Sequence, residues 1–488
     1  MSIKTNLIMS SIGEKIKAVF GSVAMYKDPK NNEPFNGRSL PSFIKDYIVS
    51  MYIGPDGMLD SDALVHFLNE HIPSNFEAVK SRLMRGEQMT LLVRFQVQTN
   101  LHNNSYHFAI PDMGLNYGET EIPRYLVQQY PDDLVDGERW GIMKVIYMQP
   151  NEESGGHVEM IDFRPFRPIE NMDLDYYRWC RSQFSTDEWI DVLISAMEYE
   201  PSAFASKTQK LEFLTRLLPF IEPRLNMVEF AHMGTGKSYV FGQLSKYAWL
   251  ISGGKVSRAK LVYNKATQSP GIMRFYDLVS FDELQSITFS DAAEIQAFLK
   301  DYLEYGKATV DNYEFMSQCG LLLLGNIDLG VDGTPLNDNY FRKMPDIFHE
   351  AATLDRFHGM IEGWLLPRVD SSMFLHGWTL NTEFFSETLH RMRTEGQYGN
   401  VVNRLIEMPP KIDARHQKAI IRIATAYLKL LFPHITKAED MNIEEFDCYC
   451  LQPAIRRRDI IRRQCEINDT GATYSKPIPH ISVVSSVR

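Results

Sequence analysis

The stretch that decides the fold runs from Asn226 to Ser238, NMVEFAHMGTGKS. Its first six residues, 226–231, read as a short buried strand that runs straight into a glycine-rich turn, and a helical pattern (YVFGQLSKYAWLI, 239–251) follows. A phosphate-binding loop asks for Gly, four residues, then Gly-Lys-Ser/Thr. Here Ala231 stands at the first glycine, while Gly234, Gly236, Lys237 and Ser238 fit. The glycines let the backbone turn its N–H groups inward on phosphates, and the helix start adds a partial positive charge. Lys237 is expected to reach the β- and γ-phosphates and Ser238 to hold Mg2+. Gly234, Thr235, Gly236, Lys237 and Ser238 are thus the expected nucleotide site, with ATP and Mg2+ as cofactors. The bare triplet recurs by chance in roughly one chain in four of this length at average residue frequencies. The reading therefore rests on context.

Downstream, FYDLVSFDEL (275–284) is an apolar strand ending in Asp282-Glu283. In nucleotide hydrolysis such an Asp helps to hold Mg2+ and the Glu polarises the attacking water. GLLLLG (320–325) is a fully apolar strand with Asn326 just past its end, where an amide can orient that water. LDRFHG (354–359) offers Arg356, a guanidinium that a neighbouring subunit can supply to the transferring phosphoryl group. The bland alternatives are a solvent-facing acidic pair, a turn Asn and a surface salt bridge with Asp355. Strands and helices alternate to about residue 367, the pattern of a parallel α/β sheet. Loop, acidic pair, amide and arginine come in the order of an AAA+ module.

Further out, residues 1–200 have another texture. TLLVRFQVQT (90–99) alternates Val93, Phe95 and Val97 with Arg94, Gln96 and Gln98, a half-buried strand. Strand-like pieces at 106–110, 140–148 and 158–163 suggest a small β-barrel or sandwich, with a helical stretch at 174–199. From about 381 the pattern is mostly helical, notably Ala414 to Leu431, and residues 476–488, with Pro477 and Pro479, look like a flexible tail. The 488 residues carry a net charge of −11, which argues against a wholly basic nucleic-acid binder and leaves room for local basic patches. Five sparse cysteines make no disulfide framework, so a reducing cytoplasm is expected, and Cys448 and Cys450 lack zinc-ligand spacing. No apolar run approaches the ~18–20 residues of a membrane span, so no membrane partner is expected.

With these residues in view, the chain resembles the Lon-like AAA+ proteins of the BREX phage-defence system. The phrases that carry the resemblance include MGTGKSYVF (233–241), ISGGKVSRAKLVYN (251–264), DLVSFDEL (277–284), LLLLGNID (321–328) and LDRFHGMIEGWLLP (354–367). In the N-terminal half they include GRSLPSFIKDYIVSMY (37–52) and ERWGIMKVIY (138–147). The resemblance implies an α/β fold: an AAA+ P-loop ATPase core (201–380) with a helical lid (381–475), preceded by a mixed DNA-binding domain (1–200) with an OB-like barrel. It implies a homo-oligomeric ring, a hexamer or stacked double hexamer, on double-stranded DNA, with other phage-defence proteins as partners. Long family members continue into a Lon-like protease domain with a Ser–Lys dyad. No segment here past residue 440 has room for one, so no peptidase activity is expected. In the lid, Arg422 or Arg415 is the candidate to touch the γ-phosphate. Candidate DNA contacts are Lys255 and Arg258, Lys307 in KATVDNYEFMS (307–317), and Arg94 on the barrel. IRRRDIIRR (455–463) grips DNA or a neighbouring subunit, or else is a solvated helix face. Three functions stay open: a DNA motor or clamp driven by hydrolysis, a nucleotide-gated DNA-binding scaffold without motor activity, and an ATPase that remodels a protein partner.

Overall fold

In the computed structural model, residues 11–484 are described except 37, 39, 54–58, 74–75, 101, 132, 135–136, 151–154, 167–171, 266–268, 311–312, 470 and 472. They form two compact units. One holds residues 30–40 and 44–170, the other the described parts of 1–29, 41–43 and 171–488. The sequence places one boundary near 200, but residues 174–196 and residues 12–27 pack into the larger unit. Trp189 Nε1 donates to the Leu430 carbonyl at 3.0 Å, and residues 24–27 pair antiparallel with 377–380.

The larger unit is built on five strands: β1 (Met227–Ala231), β2 (Ala248–Val256), β3 (Leu278–Phe289), β4 (Gly320–Asn326) and β5 (Gly359–Glu362). They lie in the order β5-β1-β4-β3-β2, every neighbouring pair parallel. A parallel sheet covered on both faces needs near-continuous apolar strands, and β1 is buried at all five residues. The helix α1 (Lys237–Gln243) leaves the loop after β1. It stops short of the helical stretch expected to 251, because Ala248–Val256 instead pairs with β3. An apolar run such as AWLI satisfies either period, and the pairing partner decides. The helix α2 (Ala292–Tyr305) begins at Asp291, whose side chain accepts from Glu294 N, and ends at Gly306, φ +69°. Glycine takes that left-handed angle without penalty. Its buried face (Ile295, Phe298, Leu299, Tyr302) joins the core around β1, β3 and β4.

The C-terminal helices are α3 (Thr382–Met392), α4 (Gln397–Leu405), α5 (Ala414–Leu431) and α6 (Gln452–Asn468). α5 matches its sequence limits, as a long amphipathic pattern with Asp413 as its N-cap should. α6 packs along β5. The expected flexible tail is docked as far as Val484: Ser482–Val483 pairs with Ile406–Glu407, and Ile481 is buried. The two prolines forbid helix there but permit an edge strand.

The smaller unit is a five-stranded sheet in the order 105–109, 89–100, 137–148, 157–165, 120–121. Its edges are drawn together where Ile122 N donates to Tyr106 O at 2.8 Å and Phe108 N to Thr120 Oγ1 at 3.0 Å. Inward Val93, Phe95 and Val97 join Phe108, Met143, Val145, Met160 and Phe163 in one core.

Candidate functional site

The loop after β1 occupies the C-terminal end of the sheet, where parallel α/β folds place their ligands. Gly234 and Gly236 have φ of +82° and +78°, angles that L side chains rarely adopt. Ala231 needs no such freedom. It ends β1 as a buried strand residue and is not among the positive-φ residues. Its methyl is accommodated opposite Gly363, where an added Cβ would sit 2.4 Å from the Ala231 Cβ. The glycine missing from the motif is balanced by a glycine across the sheet.

Four expected residues converge. Ser238 Oγ donates to Asp282 Oδ2 at 2.6 Å, and Lys237 Nζ to Asn326 Oδ1 at 3.3 Å. Lys237 also reaches the His232 carbonyl at 3.3 Å. Burial pushes its ammonium below the ordinary lysine value; Arg216 adds to that, while Glu229 and Asp282 oppose it. A polyanion brought beside it favours the charged form again. The Ser238 hydroxyl and Asp282 carboxylate are a hard oxygen pair that suits Mg2+, whose remaining ligands are ordinarily water and phosphate. The residues present therefore fit the cation.

Glu283 follows on an irregular turn. The β2–β3 register shifts between Asp282 and Ile287, and Glu283 has φ +50°. For a non-glycine residue this costs of order 1–3 kcal/mol and collects at functional sites. The strained residue is held by Glu283 N donating to Asp282 Oδ1 at 2.9 Å and by Ser286 Oγ donating to the Glu283 carbonyl at 2.8 Å. Its side chain is exposed, with Oε2 beside Gly253.

Arg356 is at the other end of the sheet. It precedes β5, whose Gly359 pairs with Met227 at the start of β1. The five residues of β1 separate that level from the loop, or about 16 Å at ~3.3 Å per residue. There Arg356 Nε lies 3.6 Å from Glu304 Oε2 and Nη1 bonds the Ala352 carbonyl. Arg422 Nη1 donates to the Arg224 carbonyl at 3.1 Å, just before β1, which places it at the same end as Arg356 and away from this subunit's phosphate loop. Arg415 is at the same end, on Glu304 (3.2 Å) and Asp355 (2.8 Å).

The proposed DNA contacts divide. Lys255 and Lys307 are exposed. Arg258 is paired with Glu294, and Arg94 with Asp112 (3.1 Å) and Glu138 (3.4 Å), so their charges are already answered within the chain. The arginines of 455–463 are largely internal: Arg457 binds Glu212 and Glu362, and Arg458 binds Asp355 and the Phe357 carbonyl.

Sequence reasoning missed Arg216 and Glu229. Both are fully buried as an ion pair beneath the loop, and Arg216 Nη1 donates to the Thr235 carbonyl at 2.8 Å. The signal was present, a charged residue in the middle of the apolar strand MVEFA. A lone buried charge is prohibitively costly, so it demands a partner.

A family model described as Lon-like protease BrxL-like, ATPase domain, matches residues 158–476. The chain belongs to the BrxL family. A second BrxL model, described as BREX system Lon protease-like protein BrxL N-terminal, matches residues 18–147. The chain is 28% identical over 475 residues to the Lon-like protease BrxL of Bacillus cereus (strain H3081.97), covering 96% of this chain and 69% of that protein. It is 26% identical over 432 residues to the Lon-like protease BrxL of Escherichia coli O9:H4 (strain HS), covering 86% of this chain and 60% of that protein. The BrxL ATPase-domain match contains the loop, Asp282, Asn326 and Arg356. No described helix is long and apolar enough to cross a membrane.

Proposed function

We propose that this BrxL-family protein hydrolyses ATP in a homo-oligomeric ring, a hexamer or stacked double hexamer, that binds or translocates on double-stranded DNA in phage defence in the cytoplasm. The observation that carries the ATPase reading is the convergence of Ser238 on Asp282 and of Lys237 on Asn326 at the mouth of a glycine loop. Loop N–H groups and Lys237 hold the phosphates, and Ser238 with Asp282 holds Mg2+. When bound, Mg2+ neutralises charge on the β- and γ-phosphates. Glu283, strained outward into solvent, accepts the proton of the attacking water, and Asn326 orients that water. Arg356 cannot reach its own loop along β1, and it serves the neighbouring subunit's γ-phosphate. On this reading the smaller unit is the DNA-binding domain, with an OB-like barrel.

DNA engagement is proposed through Lys255 and Lys307, repeated around the ring on an otherwise acidic surface. The test is a DNA-binding titration across salt, with and without ATP, on wild type and Lys237→Ala. Phosphate-dominated binding weakens steeply with salt. Nucleotide is expected to change the affinity of wild type and not of the variant. Salt-independent binding, or an ATPase rate indifferent to duplex DNA, argues for the protein-remodelling reading instead.

A further inference from the structure

The segment that leaves β5 returns to the phosphate loop. Gly363 packs on Ala231, Leu366 is buried, and Val369 N donates to the Gly234 carbonyl at 2.8 Å. Pro367 stiffens the approach by fixing its own φ. Between these anchors, the Arg368 guanidinium lies over Gly234. A Cβ built on that glycine would sit 3.5 Å from Arg368 Nε and 3.8 Å from Nη2. Arg368 is exposed, and no acceptor is recorded for it among the described residues. The nearest carboxylate in sequence, Asp370, is engaged with Ser372 N at 2.8 Å and Ser372 Oγ at 2.6 Å. The buried carboxylate beneath the loop, Glu229, is taken by Arg216. A second polar group flanks the loop at Gly236. Tyr199 is 1% exposed, and its hydroxyl lies 2.5 Å from the position of a Gly236 Cβ.

An exposed arginine with no acceptor among the described residues, held by anchored backbone against a loop built to bind phosphate, is matched in charge and geometry by an anion on that loop. We propose that Arg368 is a nucleotide ligand within its own subunit, its guanidinium contacting the phosphate chain of a nucleoside triphosphate from the Gly234 side of the loop. This rests on the ATP reading above and adds a cation from the same subunit, opposite in origin to the Arg356 of a neighbour. The planar fork presents paired donors to phosphate oxygens, which a lysine cannot reproduce.

The test is equilibrium titration of the full chain with a fluorescent ATP analogue and its ADP counterpart, comparing wild type, Arg368→Ala, Arg368→Lys and Lys237→Ala. Losing a charge-assisted contact weakens binding roughly ten- to a hundredfold. Arg368→Ala is expected to lose that much for the triphosphate, and Arg368→Lys to recover part of it. The ligand-free melting temperature is expected to stay at the wild-type value in both Arg368 variants, while the rise in melting temperature on adding ATP shrinks. Wild-type affinity in Arg368→Ala alongside lost binding in Lys237→Ala overturns this inference and leaves the loop reading intact. Wild-type affinity in Lys237→Ala as well overturns the loop reading and the inference with it. A lowered ligand-free melting temperature with unchanged affinity in Arg368→Lys assigns Arg368 a packing role and also overturns it.

Discussion

The two ends of the central sheet are built on opposite principles. At the C-terminal end the polar groups are sparsely satisfied: Lys237 has two partners at 3.3 Å, Glu283 faces solvent at a strained angle, and Arg368 stands over Gly234. At the N-terminal end the charges are closed on one another. Asp355 serves Arg415 and Arg458, Glu304 serves Arg356 and Arg415, and Arg458 also donates to the Asp355 and Phe357 carbonyls. On the proposed function, the first end receives the phosphates of the nucleotide. The second holds long cationic side chains in fixed positions, and on the same proposal Arg356 is presented from there to a neighbouring subunit. Positioned charges act at no reorganisation cost.

The sharpest way to break this contrast is at Arg356. Arginines supplied to a γ-phosphate are worth about 10³–10⁵ in turnover, so Arg356→Ala is expected to lose ATPase activity on that scale while keeping nucleotide affinity. Steady-state turnover and a nucleotide titration check both halves. Glu283→Gln should cost about 10²–10⁴ in turnover, the range for a general base, with binding retained. Arg458→Ala probes the closed end for its packing role. Removing one partner of a buried ion pair costs about 3–5 kcal/mol, and urea unfolding should show it. Both members of that pair are almost wholly buried.

Acid sharpens the same contrast more gently. Burial, reinforced by Arg458, pushes His416 down to about 4; burial likewise lowers His434 to about 4 and holds His358 well below the ordinary histidine value. The unfolded chain takes up these protons below about 6.5 while the folded chain refuses them. Stability from these groups is therefore full at pH 7 and lost as pH falls from about 6.5 toward 4. Melting temperature should drop across that window, and less steeply in His416→Gln, since His416 accepts from Arg458 Nε at 2.9 Å. The smallest effect is expected at Arg94, a partly exposed pair with Asp112 and Glu138. Arg94→Ala should change stability by about 0–1 kcal/mol and leave DNA affinity unaltered, because its charge is already neutralised.

The open end was the more legible in sequence. Its residues lie at strand ends on a local pattern, so Lys237, Ser238, Asp282 and Asn326 could be named before any contact was known. The closed end depends on pairings between distant segments, such as Arg458 with Asp355 or Arg422 with the Arg224 carbonyl. An amphipathic helix carrying arginines looks the same whether its guanidiniums meet a phosphate, water or a buried carboxylate. That ambiguity leaves the partners of Arg422 and of the arginines in 455–463 unreadable from sequence. Glu229 was visible as an anomaly, but its partner Arg216 was not. For Arg368 the sequence carried no signal, since only the return of the chain after β5 brings it to Gly234. Strand limits are legible where one period dominates, as where the expected strand 90–99 is Met89–Asn100 in the structure. The reading failed at 248–251, where pairing with β3 overrode a helical pattern.

The central claim is that a catalytic centre combines the open end of one subunit with the closed end of the next. It is tested most directly by mixing Glu283→Gln subunits with Arg356→Ala subunits and measuring ATP turnover. Each variant alone lacks one half at every interface and is expected to be nearly inactive. In a mixed ring, some interfaces join an intact Glu283 to an intact Arg356, so turnover should recover to a substantial fraction of wild type. A mixture as inactive as its components, or an Arg356→Ala protein that turns over ATP at the wild-type rate, contradicts the account.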